Sequence, residues 1–182
     1  PLWLTVPVLT KGKSGQLIHE TQIDNKDSWQ AKHLKSLVTN YAKAPFFKDY
    51  YPVFESLLQQ GWSRLIDLDM GLIEKISELL GIQTQITKSS DLKIPGSRLD
   101  RLIKICRHFK ADVFYEGEAG ENYIETQAFA KEGIQVRFQH YEHPVYRQLY
   151  GDFISHLSIV DLLFNRGNES LNILLGKKAN QP

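Results

Sequence analysis

The chain has 182 residues, 42% of them hydrophobic and 24% charged, which suits one soluble domain with a core of its own. The 22 basic and 21 acidic side chains leave a net charge of +1, too balanced for nucleic-acid binding driven by charge. A single cysteine, Cys106, excludes an internal disulfide and fits a reducing compartment, and no apolar run approaches the roughly 20 residues that span a bilayer.

The opening PLWLTVPV lacks the basic and long apolar regions of a signal peptide. It has no initiating Met and enters a strand pattern at once, so the chain is expected to be a fragment of a longer protein. Trp3 to Leu9 reads as an edge strand, since Pro7 removes a ladder donor. A polar turn follows at Thr10 to Gln16, then a second strand from Leu17 to Ile23, making an N-terminal hairpin.

Asp27 or Ser28 can cap a helix that runs to about Ala44, with Trp29, Leu34, Leu37, Val38 and Tyr41 on one face. Pro45 ends it. A second helix covers Phe46 to Gln60 and stops at Gly61. A third runs from Ser63 to Leu80, apolar at helical spacing and closed by Gly81.

Beyond Gly81 the pattern changes. Ile82 to Thr87 reads as a strand, Lys88 to Ser97 as a loop, and Arg98 to Lys110 as an amphipathic helix with Cys106 inward. Val113 to Tyr115 is a strand, Gln127 to Glu132 a short helix, and Ile134 to Gln139 a strand again. A last helical region starts near Ser158, breaks at Gly167 and resumes to Leu175, and Lys177 to Pro182 reads as a frayed polar tail. The expected fold class is therefore α/β: a small parallel or mixed sheet with strand–helix–strand crossovers, plus the hairpin and a three-helix layer. It is expected as one domain over 1–182, with a helical subregion at about 28–81 and an α/β subregion at about 82–176.

Several groups carry candidate chemistry, and each has a structural alternative. Ligands favour strand ends in α/β sheets, and the loop after Phe138 holds His140, Tyr141, His143, Tyr146 and Gln148. His140 and His143 suit a general base, substrate contact or plain packing. A metal site is disfavoured, because no HExxH, CxxC or calcium-type acidic loop is present. Lys88, Ser89, Ser90 and Asp91 precede the helix at Arg98, where hydroxyls and backbone N–H groups can hold an anion or simply organise a turn. Gly117 and Gly120 follow a strand, but Glu118 and Glu121 beside them would repel phosphate, so a sugar or amine fits that turn better. Arg98 and Arg101 open a helix against its dipole, which points to a bound anion or a salt bridge with Asp91 or Asp100. Cys106 reads as inert packing. Asp161 interrupts the apolar run LSIVDLLF and shares a helix face with Asn165, as an orienting or acid–base pair or a structural staple.

These pieces together resemble the WbqC-like protein family. The resemblance rests on WLTVPV (Trp3 to Val8), Tyr50-Tyr51, LGI (Leu80 to Ile82), SSDL (Ser89 to Leu92) and DRLIKIC (Asp100 to Cys106). It continues through Gly117 with Tyr123, Phe129, Gly133-Ile134, HPVYRQ (His143 to Gln148) and SIVDLLFNRG (Ser158 to Gly167). It implies a cytoplasmic bacterial protein of surface-polysaccharide (O-antigen) biosynthesis, a transferase modifying a nucleotide-linked amino sugar, or a non-catalytic binding protein of the same pathway. Family members carry an additional N-terminal segment with His-Gln-Pro and Gly-Tyr signatures, absent here, and Glu116 and Arg147 stand where the family has Ser and Pro.

On this footing Lys88, Ser89, Ser90 and Arg101 would hold an anionic group. His143 as base, Tyr123 and Asp161 would act at the acceptor, with Gly117, His140, Tyr146, Gln148 and Asn165 in substrate contact. Segments near residues 89, 117, 143 and 161 are expected around one hollow. The cofactor requirement is left open. The expected partner is a sugar nucleotide, with no nucleic acid and no membrane insertion, and a homo-oligomer is left open.

Overall fold

The computed structural model describes residues 2–176; the expected polar tail at Lys177 to Pro182 lies outside them. The chain divides into two units, one made of residues 2–83 and 143–176 and the other of Thr84–Glu142.

In the first unit the hairpin closes through single bridges rather than continuous strands. Val8 pairs antiparallel with Ile23, and Leu9 N–H donates to Gln22 O at 2.9 Å. A 3-10 turn at Ile18–Glu20 replaces the start of the expected second strand, since the Leu17 N–H is taken by the Glu20 carboxylate. Gln22 also bridges Arg64, so the short β pairing ends there.

Helix α1 (Trp29–Tyr41) buries Trp29, His33, Leu34 and Leu37, the inward stripe that the fourfold spacing anticipates. Ser28 stands at its N-cap position without a side-chain bond to the helix. Helix α2 (Phe47–Leu58) buries Phe47, Tyr50, Phe54 and Leu58 and carries Pro52 on its exposed side. Helix α3 (Leu65–Leu80) ends at Gly81 in the left-handed region (φ 71°). There Ile82 N–H returns to Ser77 O and Gly81 N–H to Glu78 O, the paired bonds that close a helix at glycine.

The second unit contains helix α4 (Arg98–His108), strand β1 (Val113–Gly117), helix α5 (Thr126–Ala130) and strand β2 (Gln135–Gln139). The two strands pair in parallel, from Val113 opposite Gln135 to Gly117 opposite Gln139. The fold is thus α/β with a two-stranded parallel sheet and a helical crossover. Cys106, Ile124, Phe129 and Ile134 form its core, where Phe114 stacks on Phe129 at 4.8 Å. The third strand expected at Ile82 to Thr87 does not form. Its residues are exposed and unpaired with any strand, so the alternation of Ile82, Thr84 and Ile86 has no buried face to serve.

The chain then returns to the first unit. Ser158 caps helix α6 (Ile159–Arg166), its hydroxyl accepting from Val160 N–H. Gly167 opens a 3-10 turn leading to helix α7 (Ser170–Leu174). Leu163 and Phe164 are 0% exposed, and Phe164 meets Tyr41, Phe47 and Phe54 at ring distances of 5.3, 5.1 and 5.7 Å. The closing helices, expected with the α/β subregion, therefore belong with α1 and α2. Burial of Leu163 and Phe164 supplies the reason.

Candidate functional site: a buried carboxylate beneath an aromatic-rimmed cavity

Asp161 sits in the first turn of α6 and is 4% exposed. The Tyr146 hydroxyl donates to its Oδ2 at 2.7 Å, and Gln148 Nε2 donates to the same oxygen at 3.0 Å. Tyr41, at the end of α1, lines the same cavity beside the carboxylate. Its hydroxyl is pushed well above the usual tyrosine range, first by burial and then by the Asp161 charge and hydrogen bond. Two neutral donors therefore converge on one buried carboxylate oxygen, the partners that a polar group needs once it is taken out of water.

Asn165 is also buried, but its amide donates to the Asp161 carbonyl at 2.7 Å, one turn back along α6. Gln148 does two things at once. It clasps the Ile154 backbone, accepting from its N–H at 2.8 Å and donating to its C=O at 2.9 Å, and so closes the 148–154 turn. His143 lies half-buried, with Nδ1 at 3.0 Å from the Pro144 carbonyl and its ring near Tyr146 (6.3 Å), Phe153 (5.7 Å) and His156 (4.9 Å). The expected set His143, Tyr146, Gln148, Asp161 and Asn165 is thus brought together within the first unit.

A cavity of about 500 Å³ opens above this group. Asp161, Gln148, Tyr41, Trp3, Tyr150 and His156 are among its walls, and its lining includes no lysine or arginine among the described residues. Of the lining aromatics, Trp3 (91% exposed) and Tyr150 (60% exposed) are strongly exposed to solvent. Tyr41 and His156 were not singled out as site residues from sequence. Tyr41 reads there as one more apolar position on α1, and His156 follows no pattern.

The remaining expected residues lie in the second unit. Lys88, Ser89 and Ser90 are exposed in a turn closed by Asp91 N–H to Lys88 O at 3.0 Å. Arg101 donates to the Ser89 carbonyl at 3.0 Å, so it braces this loop, while Asp100 and Asp91 pair with Lys104 (2.7 Å) and Lys88 (3.9 Å). Gly117 ends β1 with open space where a Cβ would stand, whereas Gly120 is pressed against Glu116 and Phe138. Tyr123 is 64% exposed. His140 lies between Glu118 (3.6 Å) and Glu121 (3.2 Å). Cys106 is buried, and burial raises its thiol above the ordinary range. Of the four segments expected around one hollow, those at 143 and 161 meet in the first unit, and those at 89 and 117 belong to the second.

No helix among the described residues is long and apolar enough to cross a membrane. An uncharacterized protein of Mycobacterium tuberculosis is 33% identical over 177 residues, covering 94% of this chain and 75% of that protein. No solved structure matches the chain. The WbqC-like protein family matches residues 1–173, which span the hairpin, the second unit and the Asp161 helix alike. The chain is a member of the WbqC-like protein family.

Proposed function

We propose that the protein serves bacterial surface-polysaccharide biosynthesis as a transferase that modifies a nucleotide-linked amino sugar, with the cavity above Asp161 receiving the sugar. Its volume of about 500 Å³ lies within the range of small-molecule sites. Its walls offer aromatic and polar side chains and the Asp161 carboxylate, with no lysine or arginine among the described residues, a lining that suits a sugar ring better than a phosphate. The observation that carries this function is the Asp161 centre, where Tyr41, Tyr146 and Gln148 are fixed around one carboxylate at the cavity floor. Such preorganised polar groups are what a reacting sugar hydroxyl or amine needs. Asp161 supplies acid–base character at the cavity, with His143 packed nearby and Asn165 holding the α6 backbone.

Within the second unit we assign Lys88, Ser89, Ser90 and Arg101 to an anionic group. Tyr123, Gly117 and His140 are assigned to contact with a sugar or amine group, His140 lying beside Glu118 and Glu121.

The test is incubation with a panel of nucleotide-linked amino sugars, following melting temperature and product mass. Ligand binding raises the melting temperature by mass action. Expected are stabilisation and a new product, with the product lost in His143→Ala and the fold retained. Turnover retained by that variant removes His143 from the mechanism. Failure of the whole panel to stabilise the protein overturns the sugar site.

One observation favours a second function. The Asp161 carboxylate is already engaged by the Tyr146 hydroxyl and the Gln148 amide, as in a site built to hold a ligand rather than convert one. Stabilisation without product over long incubation would establish this non-catalytic binding role.

A further inference from the structure

We propose that His156, not His143, is the histidine that touches the ligand in this cavity, and that His143 is a positioning residue acting through it. The inference rests on the sugar-binding cavity proposed above and names a residue to which that function gave no role.

The geometry separates the two imidazoles. His156 is exposed and forms part of the cavity wall, together with Leu157 and Ser158 on the turn entering α6. His143 is not part of that wall. It is half-buried, its Nδ1 lies 3.0 Å from its own neighbour's carbonyl, and its ring centroid is 4.9 Å from His156, 5.7 Å from Phe153 and 6.3 Å from Tyr146. His143 is therefore a ring neighbour of His156 that does not itself line the cavity.

The backbone at His156 supports a role in binding. Its φ is 58°, in the left-handed region that only a few per cent of non-glycine residues occupy. The turn is held at both ends, by Gln148 clasping Ile154 and by the Ser158 cap of α6. A glycine would accept this conformation with less strain. A histidine held there presents a ring with both donor and acceptor capacity to the same cavity as Asp161.

The test uses the whole chain labelled with 15N-histidine, with UDP-N-acetylglucosamine and free N-acetylglucosamine as probes. Ring signals are assigned by single substitutions. Addition of the sugar is expected to move the His156 ring signals most, with a smaller change at His143. His156→Ala should weaken binding about tenfold, the size of one lost hydrogen bond to a ligand. His156→Gly should weaken it equally while holding or raising the urea midpoint, whereas a histidine kept for packing would lose stability on the same change. His143→Phe keeps a ring in the stack and should weaken binding only a fewfold. The double variant His143→Phe with His156→Ala should bind as His156→Ala alone does, because the first residue works through the second.

Sugar binding with unmoved His156 signals, or losses that simply multiply in the double variant, overturns the inference and leaves the sugar site standing. Absence of binding by both probes, read from melting temperature, overturns the amino-sugar site and this inference with it.

Discussion

The buried residues Asp161, His33 and Cys106 each make a separate demand on the fold. Asp161→Ala removes a buried acceptor shared by the Tyr146 hydroxyl and the Gln148 amide. Unsatisfied buried groups cost about 1–3 kcal/mol each, so the variant is expected to lose about 3 kcal/mol in urea denaturation, with Asp161→Asn losing less. His33 packs edge-on against Trp29 at 5.1 Å, with Nε2 at 3.2 Å from the Thr5 carbonyl, and burial depresses its pKa. Its folded pKa thus lies below its unfolded value of about 6.5. The unfolded chain takes up the proton first, so the stability contribution is intact above that value and falls as pH drops toward the folded pKa. Stability measured from pH 7 to pH 5 should fall less steeply in His33→Gln than in the native chain. Cys106 is buried with its thiol pushed up, so it should resist a thiol reagent such as dithionitrobenzoate until urea unfolds the second unit. At this scale the sequence discloses Asp161, because an acid inside LSIVDLLF has to be either turned outward or partnered. It does not disclose Tyr41 or His156. One is hidden in an ordinary helical stripe, and the other gains its importance from a turn whose closure by Gln148 is a tertiary event.

Helices α1 and α2 follow their periodicity, each burying four residues, although Val38, expected on the inward face of α1, is 40% exposed. Helix ends are equally local: Gly81 and Ser158 stand where glycine closes and serine opens a helix. Strand pairing is less legible, because a strand exists only by virtue of a neighbour. Ile82 to Thr87 alternates like a strand and finds none, while the hairpin reduces to bridges. Two element-level substitutions are informative. Pro52 lies inside α2 on its exposed side and withholds an N–H from the helix. Pro52→Ala should restore that bond and raise stability by about 1–3 kcal/mol in urea denaturation. Gly167 joins α6 to α7 at φ 51°, and a Cβ there would lie 2.4 Å from the Phe46 ring. Gly167→Ala should cost about 3 kcal/mol, through strain and overpacking together, as a lowered urea midpoint.

Across the molecule, the first unit is assembled from two separated stretches of chain. Its core joins Leu37, Phe47, Tyr50 and Phe54 from the earlier stretch to Leu163 and Phe164 from the later one. Removing the later stretch would expose the apolar faces of α1 and α2. A chain ended after residue 142 is therefore expected to lose the cooperative unfolding transition of this unit, followed by near-ultraviolet circular dichroism of its tyrosines and tryptophans. The division of the fold was only partly legible beforehand. The sequence shows helices followed by α/β alternation, but nothing in local pattern says that a helix after residue 158 belongs with helices before residue 60. Only the match of buried rings decides it.

That split arrangement has a consequence for synthesis. A nascent polypeptide leaves the ribosome in order, so residues 84–142 emerge complete while the helices made before them still lack Phe164. The inserted unit can close its own core first, and the earlier helices must keep their greasy sides out of trouble until the last segment arrives. For a short time the amino-terminal third resembles an unfinished bundle, and that interval is when the newborn protein is most open to capture by a chaperone or to self-association.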